Sequence, residues 1–125
     1  MAMRWFTKQK PPEIWDEPIA WPMGDIEAAQ RIRDICRAAA DSAAKAGAPA
    51  GNNRQHELQR YERAARTAME IAMKIGDGLL RDSAVRQIID LCLTADDSRT
   101  SRILFRAIQS PSIREEVLRD HPVLG

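Results

Sequence analysis

Between Asp25 and Leu118 apolar residues return every three or four positions with almost no interruption. A chain with that period can bury a continuous face only as α-helices, because a strand would need alternation at every second residue. In "DIEAAQRIRDICRAAADSAAKAG" the inward register is Ile26, Ala29, Ile32, Cys36, Ala39 and Ala43, with Asp25 as N-cap and Gly47 as the stop. The small-residue loop "AGAPAGNN" follows, and a second helix is predicted from near Asn53 to Gly76 on Leu58, Tyr61, Ala65, Ala68, Ala72 and Ile75. "GDG" at 76–78 breaks the chain before a third helix, about 78–94, which turns Leu80, Ala84, Val85, Ile88, Leu91 and Cys92 inward. "ADDS" at 95–98 supplies the next break, with Asp96 and Asp97 as acids at the start of a fourth helix, about 98–109. That helix carries Ile103, Leu104, Ala107 and Ile108 as its apolar positions. Ser110 then caps a short fifth helix with Pro111 at its first position, or Ser112 and Glu115 form a capping box two residues later. The expected fold is all-α: four longer helices plus a short C-terminal one, in antiparallel helical hairpins. Residues 25–125 form one domain, either solenoid-like or an irregular bundle.

Residues 1–24 read differently. They hold Pro11, Pro12, Pro18 and Pro22, together with Trp5, Trp15, Trp21 and Phe6. Proline removes a backbone donor and fixes φ, so this stretch is an extended arm with one short turn near Glu13–Glu17. Its tryptophans carry more apolar surface than such a segment can bury by itself. They must therefore pack back on the helices or onto a partner, including a second copy in a homodimer.

The chain also repeats itself. At an offset of 33, Ile75 meets Ile108, Arg81 meets Arg114, Arg86 meets Arg119 and Leu91 meets Leu124, while Ile71, Ala72, Leu80, Ala84 and Val85 meet Leu104, Phe105, Ile113, Val117 and Leu118. The repeated phrase is helix end, capped turn, helix start. Over about residues 61–124 the sequence resembles tetratricopeptide-like helical-hairpin repeat (α-solenoid) proteins, on register rather than on identity. The Trp, Leu-Gly, Tyr and Ala signature of that class is absent. The resemblance implies a protein-binding scaffold; two amphipathic hairpins of this spacing in an irregular bundle would align in the same way.

Charge and motifs narrow the function. With 19 basic and 18 acidic residues the net charge is +1, so any charged partner must be met by a local patch. No apolar run is long enough to span a bilayer, and the basic N-terminus is not followed by the apolar stretch of a secretory signal. Cys36 and Cys92 lack metal or redox spacing and fit buried thiols of a cytoplasmic protein. Neither His56 nor His121 has metal-ligand spacing, and nucleophile-elbow, P-loop, dinucleotide and metalloprotease motifs are absent. The sequence therefore predicts no catalytic residues, no metal and no cofactor. Arg99, Arg102 and Arg106 fall on one stripe of the fourth helix, which has no acid of its own. They are either a solvated face paired to acids such as Glu115 or Asp90, or a contact stripe for an acidic peptide or phosphates. The expected function is a non-catalytic helical protein-protein interaction module with partner-binding residues Arg99, Arg102, Arg106, Trp5, Trp15 and Trp21. The alternative is a small regulatory protein binding nucleic acid or an acidic partner through the arginine stripe.

Overall fold

The computed structural model describes residues 13–49 and 53–125. Five α-helices follow one another: α1 (Asp25–Gly47), α2 (Arg54–Ala72), α3 (Gly78–Thr94), α4 (Ser98–Ala107) and α5 (Pro111–Asp120). Short 3-10 turns precede and close them, at Ile14–Asp16 and Pro122–Leu124. The described residues contain no strand. The expectation of four longer helices is corrected: α1, α2 and α3 run 23, 19 and 17 residues, whereas α4 and α5 have ten each. The Asp97 carboxylate starts α4, and the chain turns extended at Ile108 to reach the Ser110–Pro111 cap, so ten residues are all the space between them.

The third helix is the hub, packed against each of the other four, while α1 and α2 lie along one another. Alanine dominates the buried faces of that pair, at Ala28, Ala39, Ala43 and Ala46 on α1 and Ala64, Ala65, Ala68 and Ala72 on α2. Small side chains let two helix backbones approach closely, and Gly47 shows how closely. A Cβ there would sit 2.5 Å from the Thr94 carbonyl oxygen. Gly47 is the last residue of α1 and has no positive φ. The need for glycine is therefore a contact with the end of α3, not the left-handed stop expected from sequence.

Two other expectations shift. Asp25 is the first residue of α1 rather than its cap, a position taken by Gly24. Ile26 is 79% exposed, and the buried register of α1 runs through Ala28, Ile32, Ile35 and Ala39 instead. The fifth helix starts as first expected, with Ser110 accepting from the Ile113 N–H and Pro111 at the first position.

Carboxylates tie the connections together. Asp25 accepts from the Gly76 and Asp77 N–H groups at 3.0 and 2.9 Å, holding the α2–α3 turn to the start of α1. Those two bonds hold its carboxyl below the usual aspartate range. Asp82, on α3, accepts from the Gln109 and Ser110 N–H groups at 3.1 and 2.8 Å, holding the α4–α5 turn. The α3–α4 turn closes on its own backbone. Asp96 takes φ 61°, the Asp97 N–H donates to the Cys92 carbonyl at 2.8 Å, and the Asp96 N–H donates to Leu93. This is a Schellman motif with aspartate where glycine is usual. Helix α5 is fastened to α3 by Arg86, which donates to Glu116 and Asp120, both at 3.0 Å, and by a 2.7 Å contact between His121 and Asp90.

Candidate functional site

Helix α4 owes its orientation to Asp97. One carboxylate oxygen accepts from the Thr100 N–H at 3.1 Å as the N-cap; the other accepts from the Tyr61 hydroxyl of α2 at 2.7 Å. Burial raises the Tyr61 pKa well above the usual phenol range, with Cys92 and Asp97 adding to the effect, so the hydroxyl stays a donor. With its start pinned, α4 buries Ser101, Leu104 and Phe105, and Ile108 continues that face. Arg99, Arg102 and Arg106 consequently point to solvent.

Among the described residues no carboxylate lies within 4.0 Å of these three guanidinium groups. The acids that sequence offered them are not engaged with them: Asp90 is bonded to His121, and Glu115 forms no ion pair among the described residues. Arg106 also sits in the last turn of α4, where a cation complements the exposed carbonyls. Several other arginines are paired, although Arg37, Arg66 and Arg119 are exposed and form no ion pair among the described residues either. Arg60 bonds Glu13 and Glu57, Arg86 bonds Glu116 and Asp120, and Arg114 donates to the Phe105 and Ile108 carbonyls while lying 4.4 Å from the Phe105 ring centroid.

Next to the stripe, α2 and α4 leave a cleft of about 240 Å³ lined by Tyr61, Glu62, Ala65, Arg66, Met69, Asp97 and Thr100. Ile103, half-exposed on α4, lies on the same flank as Thr100 by helical register. A fourth exposed arginine, Arg66, is on the α2 side of this cleft. The cleft is mixed, with Tyr61, Ala65 and Met69 beside Glu62 and Asp97; its apolar part, together with Ile103 and the exposed guanidinium groups, suits an amphipathic segment with carboxylates along its edge.

The tryptophans part company. Trp15 is 3% exposed and belongs to the core, with the Arg60 guanidinium 5.7 Å from its ring centroid. Its ring serves this chain's own packing. Trp21 is 46% exposed. Trp5 lies outside the described residues, as do Phe6, Pro11 and Pro12.

Neither thiol is poised to react. Burial pushes the Cys36 pKa up to about 12 and that of Cys92 up to about 11, so both stay protonated near neutrality. Among the described residues no group of three or more His, Cys, Asp or Glu side chains is placed to hold a metal ion. No described helix is long and apolar enough to cross a membrane. Sequence reasoning missed the buried acids Asp82 and Glu57, although both interrupt apolar registers, at 82-85-89-92 and 57-61-64-68. An acid on such a stripe signals an internal hydrogen-bond acceptor. Comparison with protein-family models, with curated proteins and with solved structures finds no match for this chain.

Proposed function

We propose that this chain is a non-catalytic protein-protein interaction module, built from two successive antiparallel helical hairpins, that binds an acidic amphipathic segment along α4. The observation that carries it is the exposed triad Arg99, Arg102 and Arg106, with no carboxylate in reach among the described residues, beside the α2–α4 cleft. Three like charges on one short helix repel one another, and a carboxylate-bearing partner relieves that repulsion. The hairpin reading is supported by bonds at the helix ends. Arg54 at the start of α2 donates to the Ala46 carbonyl at the end of α1, and Asp25 at the start of α1 grips the turn after α2. The repeat reading is supported by helix starts: α3 begins at Gly78 and α5 at Pro111, 33 residues apart, each after a side-chain N-cap, Asp77 or Ser110.

The test is fluorescence anisotropy with a labelled helical peptide carrying Glu at every fourth position and Leu on the opposite face. A scrambled peptide of equal charge and a mixed-sequence DNA duplex serve as comparators. Replacing Arg99, Arg102 and Arg106 with Gln removes three exposed charge contacts, each worth about 0.5–1 kcal/mol, so peptide affinity falls about 10- to 100-fold. An affinity and salt slope unchanged by the substitutions would rule the stripe out. Tighter binding of the duplex, with a steeper salt slope, would favour the nucleic-acid alternative.

A further inference from the structure

A second surface lies at the far end of α2. Ile19, Trp21, Glu70, Met73 and Lys74 line a depression of about 350 Å³ that shares no residue with the α2–α4 cleft. Met73 is 81% exposed, and Trp21 stands beside it half in water. Large apolar side chains placed together at a helix end, rimmed by charge, mark an association surface rather than ordinary scattered exposure. The rim holds one acid and one base, a helical turn apart. Among the described residues neither Glu70 nor Lys74 has an oppositely charged group within 4.0 Å.

We infer that this depression takes a second copy of the chain. A two-fold axis sets each patch against its own image, so an interface of this kind must be self-complementary. The residues of this patch allow it: across such an axis Trp21 and Met73 would meet their counterparts, and Glu70 of each chain would face Lys74 of the other, since the rim carries one acid and one base a helical turn apart. A partner of one charge sign would match only half of the rim. The apolar centre is small, which places the association at the weak end of specific interfaces, with a dissociation constant on the order of micromolar.

Sedimentation of the full chain over a concentration series tests this. The expected result is a concentration-dependent rise from the 14.1 kDa monomer to twice that mass. Met73→Lys, at a position too exposed to matter for folding, weakens the dimer at least 10-fold while leaving the melting temperature of the dilute, monomeric protein unchanged. Glu70→Lys and Lys74→Glu each weaken it alone, and an equimolar mixture of the two restores it as a heterodimer. A wild-type chain that stays monomeric throughout overturns the inference and leaves the patch to a different protein. A dimer indifferent to Met73→Lys, or a mixture of charge variants that fails to recover, overturns it as well. None of these outcomes depends on the arginine stripe, so the two readings stand or fall separately.

Discussion

Two turns in this protein are held by the same device in different surroundings. At Gly76–Asp77 and, 33 residues later, at Gln109–Ser110, two consecutive backbone N–H groups point at one aspartate carboxylate from another helix. The bond lengths are nearly equal. The Asp25 carboxylate works at the edge of the fold with water at hand, whereas Asp82 is 2% exposed. Water has easy access to the first acceptor's place and less to the second's, where the Asp82 carboxylate is buried and its bonds are part-buried. A buried N–H left without a partner carries the full desolvation penalty, so the same pair of bonds matters more where solvent is excluded. Asp82 is also incompletely satisfied. Its Oδ1 has no hydrogen-bond partner, and the Arg81 Nε at 3.7 Å is too distant to be one. It is retained through the two bonds that its Oδ2 accepts, against its own burial.

The comparison breaks most visibly at Asp82. Asp82→Ala removes the one buried acceptor of the part-buried Gln109 and Ser110 N–H groups and is expected to lower the unfolding free energy by about 2–3 kcal/mol, measured by urea denaturation. A loss no greater than that of an ordinary surface substitution would show that the α4–α5 turn does not need its grip.

Asp25→Ala is expected to lose clearly less in the same experiment, because water reaches the Gly76 and Asp77 N–H groups. Its pH dependence sharpens the contrast. The folded-state pKa of Asp25 is depressed by those two N–H donors. Its contribution is therefore present above the unfolded value of about 4 and is lost as pH falls through the lower folded value. Thermal melts from neutral pH down into that acid range should show the wild type losing stability that Asp25→Asn never had, so the two curves converge at the acid end. Curves that stay parallel would mean the carboxylate is not held as described.

The smallest effect is expected at the α3–α4 turn, whose N–H groups no carboxylate from another helix grips and which places Asp96 in a left-handed conformation. Asp96→Gly removes the Cβ strain and should raise stability by about 0.5–1 kcal/mol. A destabilised variant would show that the Asp96 side chain contributes something its backbone position does not explain.

Much of this was legible in the sequence, for physical reasons that are local. Helix existence follows from which residues share a face, and the breaks follow from cap chemistry. The α3 boundaries, the Ser110–Pro111 start of α5 and the turn at Ile14–Asp16 all came from such signals. The arginine stripe was legible for the same reason, since three- and four-residue steps place Arg99, Arg102 and Arg106 together on any helix. That they remain unpaired among the described residues was not, because it depends on where neighbouring acids are used, and Asp90 is taken by His121.

Sequence alone determined that this chain is helical, where most of its helices begin, and which side chains each helix has to hide. Only the tertiary structure decided the partners. It sent Trp15 into the core and left Trp21 half in water, although both sit in the same proline-rich stretch. It made Gly47 indispensable through a carbonyl on α3, and gave Asp25 and Asp82 the same task, the one half-exposed and the other buried. Periodicity specifies the face a helix must bury, whereas the surface that covers it comes from residues distant in the chain, and no local pattern records their approach.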